Sequence, residues 1–169
     1  MKLFDIVFFD ADEGLAKRLG FAGLIRIDQS AVSYNPNKPN ETVLMASNPP
    51  SLFKSMNSHG VKCIVIGIDM VNGNVMGKLA GMTKPLLISA NEVVTTDRRE
   101  TMANIGAARR SFARTKTRGL NIGLASLAKD PNYLFSLAQL VELSKLIGID
   151  ERVERRTLSM LGGMHAKKE

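Results

Sequence analysis

Short apolar runs alternate along this chain with stretches whose apolar residues recur every three or four positions. FDIVFF (4–9), GLIRID (23–28), TVLMAS (42–47), KCIVIGI (62–68), PLLISA (85–90) and LNIGLAS (120–126) are rich in Ile, Val, Leu and Phe and end in Gly or polar residues, which predicts six strands. Helical patterns lie between them. They are ADEGLAKRLG capped by Asp10 or Asp12, PPSLFKSMNSHG after Asn48, a basic helix capped by Asp97, PNYLFSLAQLVELSKLIG after Asp130, and ERVERRTLSMLGG after Asp150. Pro49 and Pro50 suit a first turn, and Gly162 and Gly163 suit a helix C-terminus. SAVSYNPNKPNE (30–41) is the best loop.

Strand and helix in alternation imply an α/β fold of parallel strands joined by right-handed crossovers. The 169 residues suit one domain spanning 1–169. A complete (β/α)₈ barrel typically takes about 250 residues. Six strands therefore leave two candidates, a reduced barrel and a doubly wound sheet.

Charge adds direction to this picture. The chain carries 23 Lys and Arg against 16 Asp and Glu, a net +7, with the excess lying from Lys84 onward. Such asymmetry points to a polyanionic partner. Its densest part is RRETMANIGAARRSFARTKTRG, Arg98 to Gly119, which holds seven Lys and Arg residues against one Glu. Met102, Ile105, Ala108 and Phe112 recur there at helical spacing, predicting a packed face, while Arg98, Arg99, Arg109, Arg110, Arg114, Lys116 and Arg118 are the candidate RNA-binding residues. Arginine's planar guanidinium can donate two hydrogen bonds to one phosphate, and each phosphate neutralised releases counterions. An ordinary outer helix with solvated charges is the plainer alternative. The chain has no Trp, and Tyr34 and Tyr133 lie apart from the cluster, so recognition of RNA shape and backbone is expected rather than base stacking.

Catalytic chemistry finds little footing. On a parallel barrel it would sit at the carboxyl ends of strands, where the chain offers Asp10, Asp28, Ser47, Asp69, Ser89, Asn91 and Ser126. Asp10, Asp28 and Asp69 could bind Mg²⁺, which makes a small metal-dependent barrel enzyme acting on a phosphorylated substrate the alternative function. Helix capping and turn formation explain the same aspartates without a metal. The two histidines, His59 and His165, are too few for the histidine-rich metal phosphoesterases. No Gly-x-Ser-x-Gly elbow, Walker loop or Gly-x-Gly-x-x-Gly is present, and Gly73, Gly77 and Gly81 are expected to ease helix packing. No catalytic residue, metal ligand or cofactor is assigned. Cys63, the single cysteine, is expected to be a small buried hydrophobe. No signal-peptide pattern and no apolar run of about 18 residues appears, so a cytoplasmic protein without a membrane partner is expected.

Three segments, FDIVFFDADEGLAKRLGFAGLIRID, ETVLMASNPPSLFKSMNSHGVKCIVIGID and LNIGLASLAKDPNYLFSLAQLVELSKLIGIDERVERRTLSML, resemble in order three parts of archaeal ribonuclease P protein component 3, the relative of the eukaryotic thirty-kilodalton subunit. The most telling matches are SNPPSL at 47–52, Ser126-Leu127-Ala128 and Leu146-Ile147-Gly148. The resemblance implies a TIM-barrel-like fold, reduced here, without a catalytic centre of its own. It implies a protein that assists the ribonuclease P RNA in removing the 5′ leader from precursor tRNA, meeting that tRNA indirectly. It further implies a protein partner, component 2, the counterpart of the eukaryotic subunit called Pop5. Family members carry a further basic loop, helix and strand in the interval compressed here into NEVVTTDRRETMANIGAARRSFARTKTRG, which leaves open both barrel closure and which family helix the Arg98 stretch represents.

Overall fold

A computed structural model of the chain describes residues 1–27, 43–46, 48–79, 81–114 and 119–165, so the loop expected at 30–41 lies outside the described residues. Among them, six strands and eight α-helices build a mixed α/β fold on parallel sheets. β1 (Phe4–Val7) pairs with β2 (Gly23–Arg26), Phe4 opposite Gly23. β3 (Val43–Ala46), β4 (Cys63–Ile66), β5 (Leu86–Ser89) and β6 (Ile122–Ala125) follow one another across a second sheet. All six predicted strands form. β4, β5 and β6 are buried at every position, as expected of parallel strands covered on both faces. One cluster of buried apolar side chains draws on both sheets, from Leu3 and Ile6 to Leu158 and Leu161, and Cys63 lies fully inside it. Burial pushes the Cys63 thiol well up.

Local chemistry sets most helix boundaries. Asp12, not Asp10, caps α1 (Glu13–Arg18), its carboxylate accepting from Leu15 N at 2.6 Å. Asn48 caps α2 (Pro49–Met56) in a reciprocal pair with Ser51. α3 (Gly73–Lys78) starts from Asn72, and α4 (Ala90–Val93) follows β5 without a loop. α5 (Arg98–Arg114) is the basic helix.

Three expectations need correction. Asp130 caps only a 3₁₀ turn (Pro131–Tyr133); the backbone is extended at Leu134, and α6 (Leu137–Ile147) begins from a capping box between Ser136 and Gln139. Gly162 and Gly163 do not end α7 (Glu151–Met160) but lie inside α8 (Gly162–His165). A Cβ at Gly162 would stand 2.6 Å from the Phe4 ring, so close packing is what requires glycine there. At Gly73, Gly77 and Gly81, by contrast, an added Cβ would meet nothing within 4 Å, so these glycines do not ease helix packing.

The two sheets meet at a seam between β1 and β6. At its carboxyl end the strands touch, Leu127 N donating to Ile6 O at 3.1 Å and Phe8 N to Ala128 O at 2.9 Å. Nearer its amino end, carboxylates stand in for backbone. Successive N–H groups of a strand point to opposite edges. Just beyond β6 Ser126 N donates to Asp5 Oδ1 at 2.9 Å, and on β6 Leu124 N donates to Glu154 Oε2 at 2.9 Å, so two side chains satisfy an edge that β1 does not reach. Ser144 Oγ donates to Glu154 at 2.8 Å, and Thr157 Oγ1 donates to Ile122 O at 3.1 Å. Gly123 makes this possible: a Cβ there would fall 2.8 Å from Glu154 Oε2. Burial raises Asp5 to about 6 and Glu154 to about 8, the hydrogen bonds from Ser126 and Ser144 pulling the other way. Asp5 Oδ2 is buried without a hydrogen-bond partner among the described residues.

Candidate nucleic-acid interface

α5 starts where the sequence indicated. Asp97 Oδ1 accepts from Arg99 N at 2.6 Å and Glu100 N at 3.2 Å, a capping arrangement that favours helix entry at Arg98. The inward face is polar in its first half and apolar in its second. Thr101 Oγ1 accepts from Thr95 N at 2.9 Å, and Asn104 Nδ2 donates to Glu92 O at 2.9 Å, tying the helix to the end of α4. Further along, Ala108 and Phe112 are buried, Ile105 packs against the core, and Ser111 Oγ donates to Val71 O at 3.0 Å.

Met102 departs from the predicted stripe, since it is 62% exposed. At about 100° per residue it lies about 120° from Ala108, whereas Thr101 lies within about 20° of it. Hydrogen bonding through Thr101 and Asn104 therefore sets the helix's rotation, and the methionine turns outward. Arg99 and Arg110 lie about 180° and 200° from Ala108, while Arg98 and Arg109 flank them at about 80° and 100°. All four arginines are exposed, and none forms an ion pair among the described residues. Arg114 is the last residue of the helix; its side chain, Lys116 and Arg118 lie outside the described residues.

Not every basic residue in the second half belongs to this surface. Lys84 Nζ donates to Ser55 O at 3.0 Å and also to Ser58 O, closing the carbonyl end of α2, and partial burial lowers its pKa. Arg156 Nη2 donates to Leu120 O at 2.6 Å. Arg155 Nε lies 2.8 Å from Glu151, and Lys145 lies between Glu142 and Glu151.

Two aspartates of the alternative reading, Asp10 and Asp69, lie among the described residues. Asp10 pairs with Arg26, Asp69 is exposed in a 3₁₀ turn (Ile68–Met70), and Asp28, like Ser47, lies outside the described residues. Among the described residues no three His, Cys, Asp or Glu side chains stand where they could share a metal ion. Ser89 and Asn91, two of the predicted strand-end residues, do share a site. They line a cavity of about 680 Å³ at the carboxyl ends of β1, β3, β5 and β6, together with Phe8, Glu92, Lys129 and Tyr133. Leu127, also in its wall, has φ 47°, a left-handed conformation that costs a branched side chain on the order of 1 kcal/mol or more.

Pattern reading missed Lys129 and Tyr133 as cavity residues, and Asp5 and Glu154 as buried acids. The acids did leave a trace. Val153, Glu154, Thr157, Leu158 and Leu161 recur at helical spacing, so Glu154 occupies an inward position, and Asp5 interrupts an apolar strand. No helix among the described residues is long and apolar enough to cross a membrane. Compared with protein-family models and with curated proteins, the chain matches none.

Proposed function

We propose that this chain is an RNA-binding subunit of a ribonuclease P, assisting its catalytic RNA in 5′-leader removal from precursor tRNA. The observation that carries the reading is α5. Four exposed arginines, Arg98, Arg99, Arg109 and Arg110, have no ion pair among the described residues, on a helix whose opposite side is tied down. Exposed arginines without an internal ion pair suit a run of phosphates, because each guanidinium can donate two hydrogen bonds to one phosphate and the helix backbone needs no ordering on binding. The resemblance of three ordered segments to ribonuclease P protein component 3 supplies the particular enzyme. With it come a cytoplasmic location and component 2 as the protein partner.

The same reading takes the fold as an incomplete (β/α) barrel. Strand order supports it: β3, β4, β5 and β6 are followed across the seam by β1 and then β2, which is chain order closed on itself with one unpaired edge between β2 and β3 among the described residues. The test is binding to structured RNA across a salt series. Replacing Arg98, Arg99, Arg109 and Arg110 together by Ala should weaken affinity and reduce the salt slope by roughly 1 for each phosphate no longer neutralised, with circular dichroism unchanged. Unchanged affinity and slope would remove α5 as the RNA-binding element.

A further inference from the structure

The strand-end cavity has the composition of a ligand site. Pockets for small molecules run to roughly 300–1,000 Å³, with mostly apolar walls and a few converging polar groups. Here Phe8, Leu127 and Val94 supply apolar wall, and Met45 and Tyr133, 40% and 60% exposed, stand at it as large hydrophobic surfaces open to solvent. Tyr133 is held by its backbone, since Tyr133 N donates to Asp130 O and Asn91 Nδ2 donates to Tyr133 O at 3.1 Å. An exposed aromatic side chain at the cavity is a surface on which a base can stack.

The polar groups are free in the right way. Ser89 Oγ, Thr96 Oγ1, Asn91 Oδ1 and Glu92 Oε1 carry no hydrogen bond among the described residues, although their neighbours Asn91 Nδ2 and Glu92 Oε2 are both engaged within the fold. The set offers both donors and acceptors, as the edge of a nucleobase requires. Among the described residues Lys129 is the one cation in the lining, exposed and without an ion pair, and it supplies a positive charge for a phosphate, with Glu92 the one anion of the lining. Thr95 and Thr96, also in the wall, are followed within three residues by Arg98 of α5.

We infer that this cavity binds a nucleoside monophosphate unit, the base stacking on Tyr133 and the phosphate meeting Lys129. The unit is either a free nucleotide or one nucleotide of an RNA strand whose neighbours run toward α5. The inference deepens the RNA-binding reading and rests on it for the second source only.

The experiment uses the full chain with Tyr34→Phe, which leaves Tyr133 as its single tyrosine in a protein without tryptophan, so tyrosine emission reports the cavity alone. Adenosine and guanosine monophosphates, the matching nucleosides and a six-nucleotide single-stranded RNA serve as probes, with affinities from equilibrium dialysis. Nucleotides should quench the emission saturably and bind more tightly than nucleosides. Lys129→Ala should remove that difference, and Tyr133→Ala should weaken nucleotide binding by about tenfold, the size of one stacked base. Both side chains are exposed, so folding should survive. Displacement of the nucleotide by the RNA identifies a strand as occupant, and lack of displacement identifies a free nucleotide. No saturable binding at millimolar nucleotide, or binding indifferent to both substitutions, overturns the inference. The α5 quadruple variant should bind the nucleotide as wild type does; if it also binds structured RNA as wild type does, the subunit reading fails while the cavity stands.

Discussion

α5 and α7 look alike as sequences, each a helix rich in arginine with acid in its first turn, yet, Arg152 of α7 apart, the fold uses their charges in opposite ways. On α7, Arg155 meets Glu151, Arg156 reaches Leu120 O, and Glu154 is buried to satisfy Leu124 N. On α5, Arg98, Arg99, Arg109 and Arg110 face solvent with no ion pair among the described residues. The difference teaches that a count of basic residues does not identify a binding surface. Charges bound within the fold are structural, and those left over are available to a partner.

The comparison can be tested first where the expected effect is largest, in the packing beneath α5. Phe112 is 3% exposed, so Phe112→Ala should destabilise by about 3 to 5 kcal/mol and lower Tm sharply. An unchanged Tm in a thermal melt would mean the helix has no packed face, and the contrast with α7 would lose its basis.

The acid beneath α7 gives the next effect. Asp5 and Glu154 hold protons more tightly folded than unfolded, so unfolding releases protons as pH rises. Their stabilisation is full below the unfolded values of 3.8 and 4.5 and is lost through about 6 for Asp5 and about 8 for Glu154. Glu151, held low by Arg155 and Lys145, works in the opposite sense but only in acid. Stability, and Tm with it, should therefore fall as pH rises from about 4 to about 8. Glu154→Gln keeps the shape without the titration, and its melting curve should be markedly flatter with pH. Equal pH dependence in the two proteins would show that the buried acid is not the source.

The smallest effect separates the surface arginines. Arg110→Ala should leave Tm within about 0.5 kcal/mol of wild type. Arg155→Ala should lower Tm slightly and release Glu151 toward an ordinary carboxylate pKa, visible by NMR titration. Identical behaviour of the two variants would erase the distinction between bound and available charge.

Much of the fold was legible because local signals agree with the global structure. The strands are apolar runs too short for helices, and Asp12, Asn48, Asp97 and Asp150 sit where backbone N–H groups lack partners. Asp130 misled because a cap for a 3₁₀ turn and a cap for an α-helix look the same in sequence; Ser136 with Gln139 was the better signal. Met102 misled because apolar periodicity assumes that apolar contacts set a helix's rotation, and here Thr101 and Asn104 set it.

By itself the sequence determined the α/β alternation, the positions of the six strands and the concentration of arginine in α5, since each depends on residue order within a single turn or strand. Only the tertiary structure decided which charges remain available, that Asp5 and Glu154 close the seam between β1 and β6, and that Ser89, Asn91, Lys129 and Tyr133 line one cavity. Those outcomes depend on groups dozens of residues apart reaching hydrogen-bonding or van der Waals range, and forces that act over a few ångströms leave no periodicity along the chain.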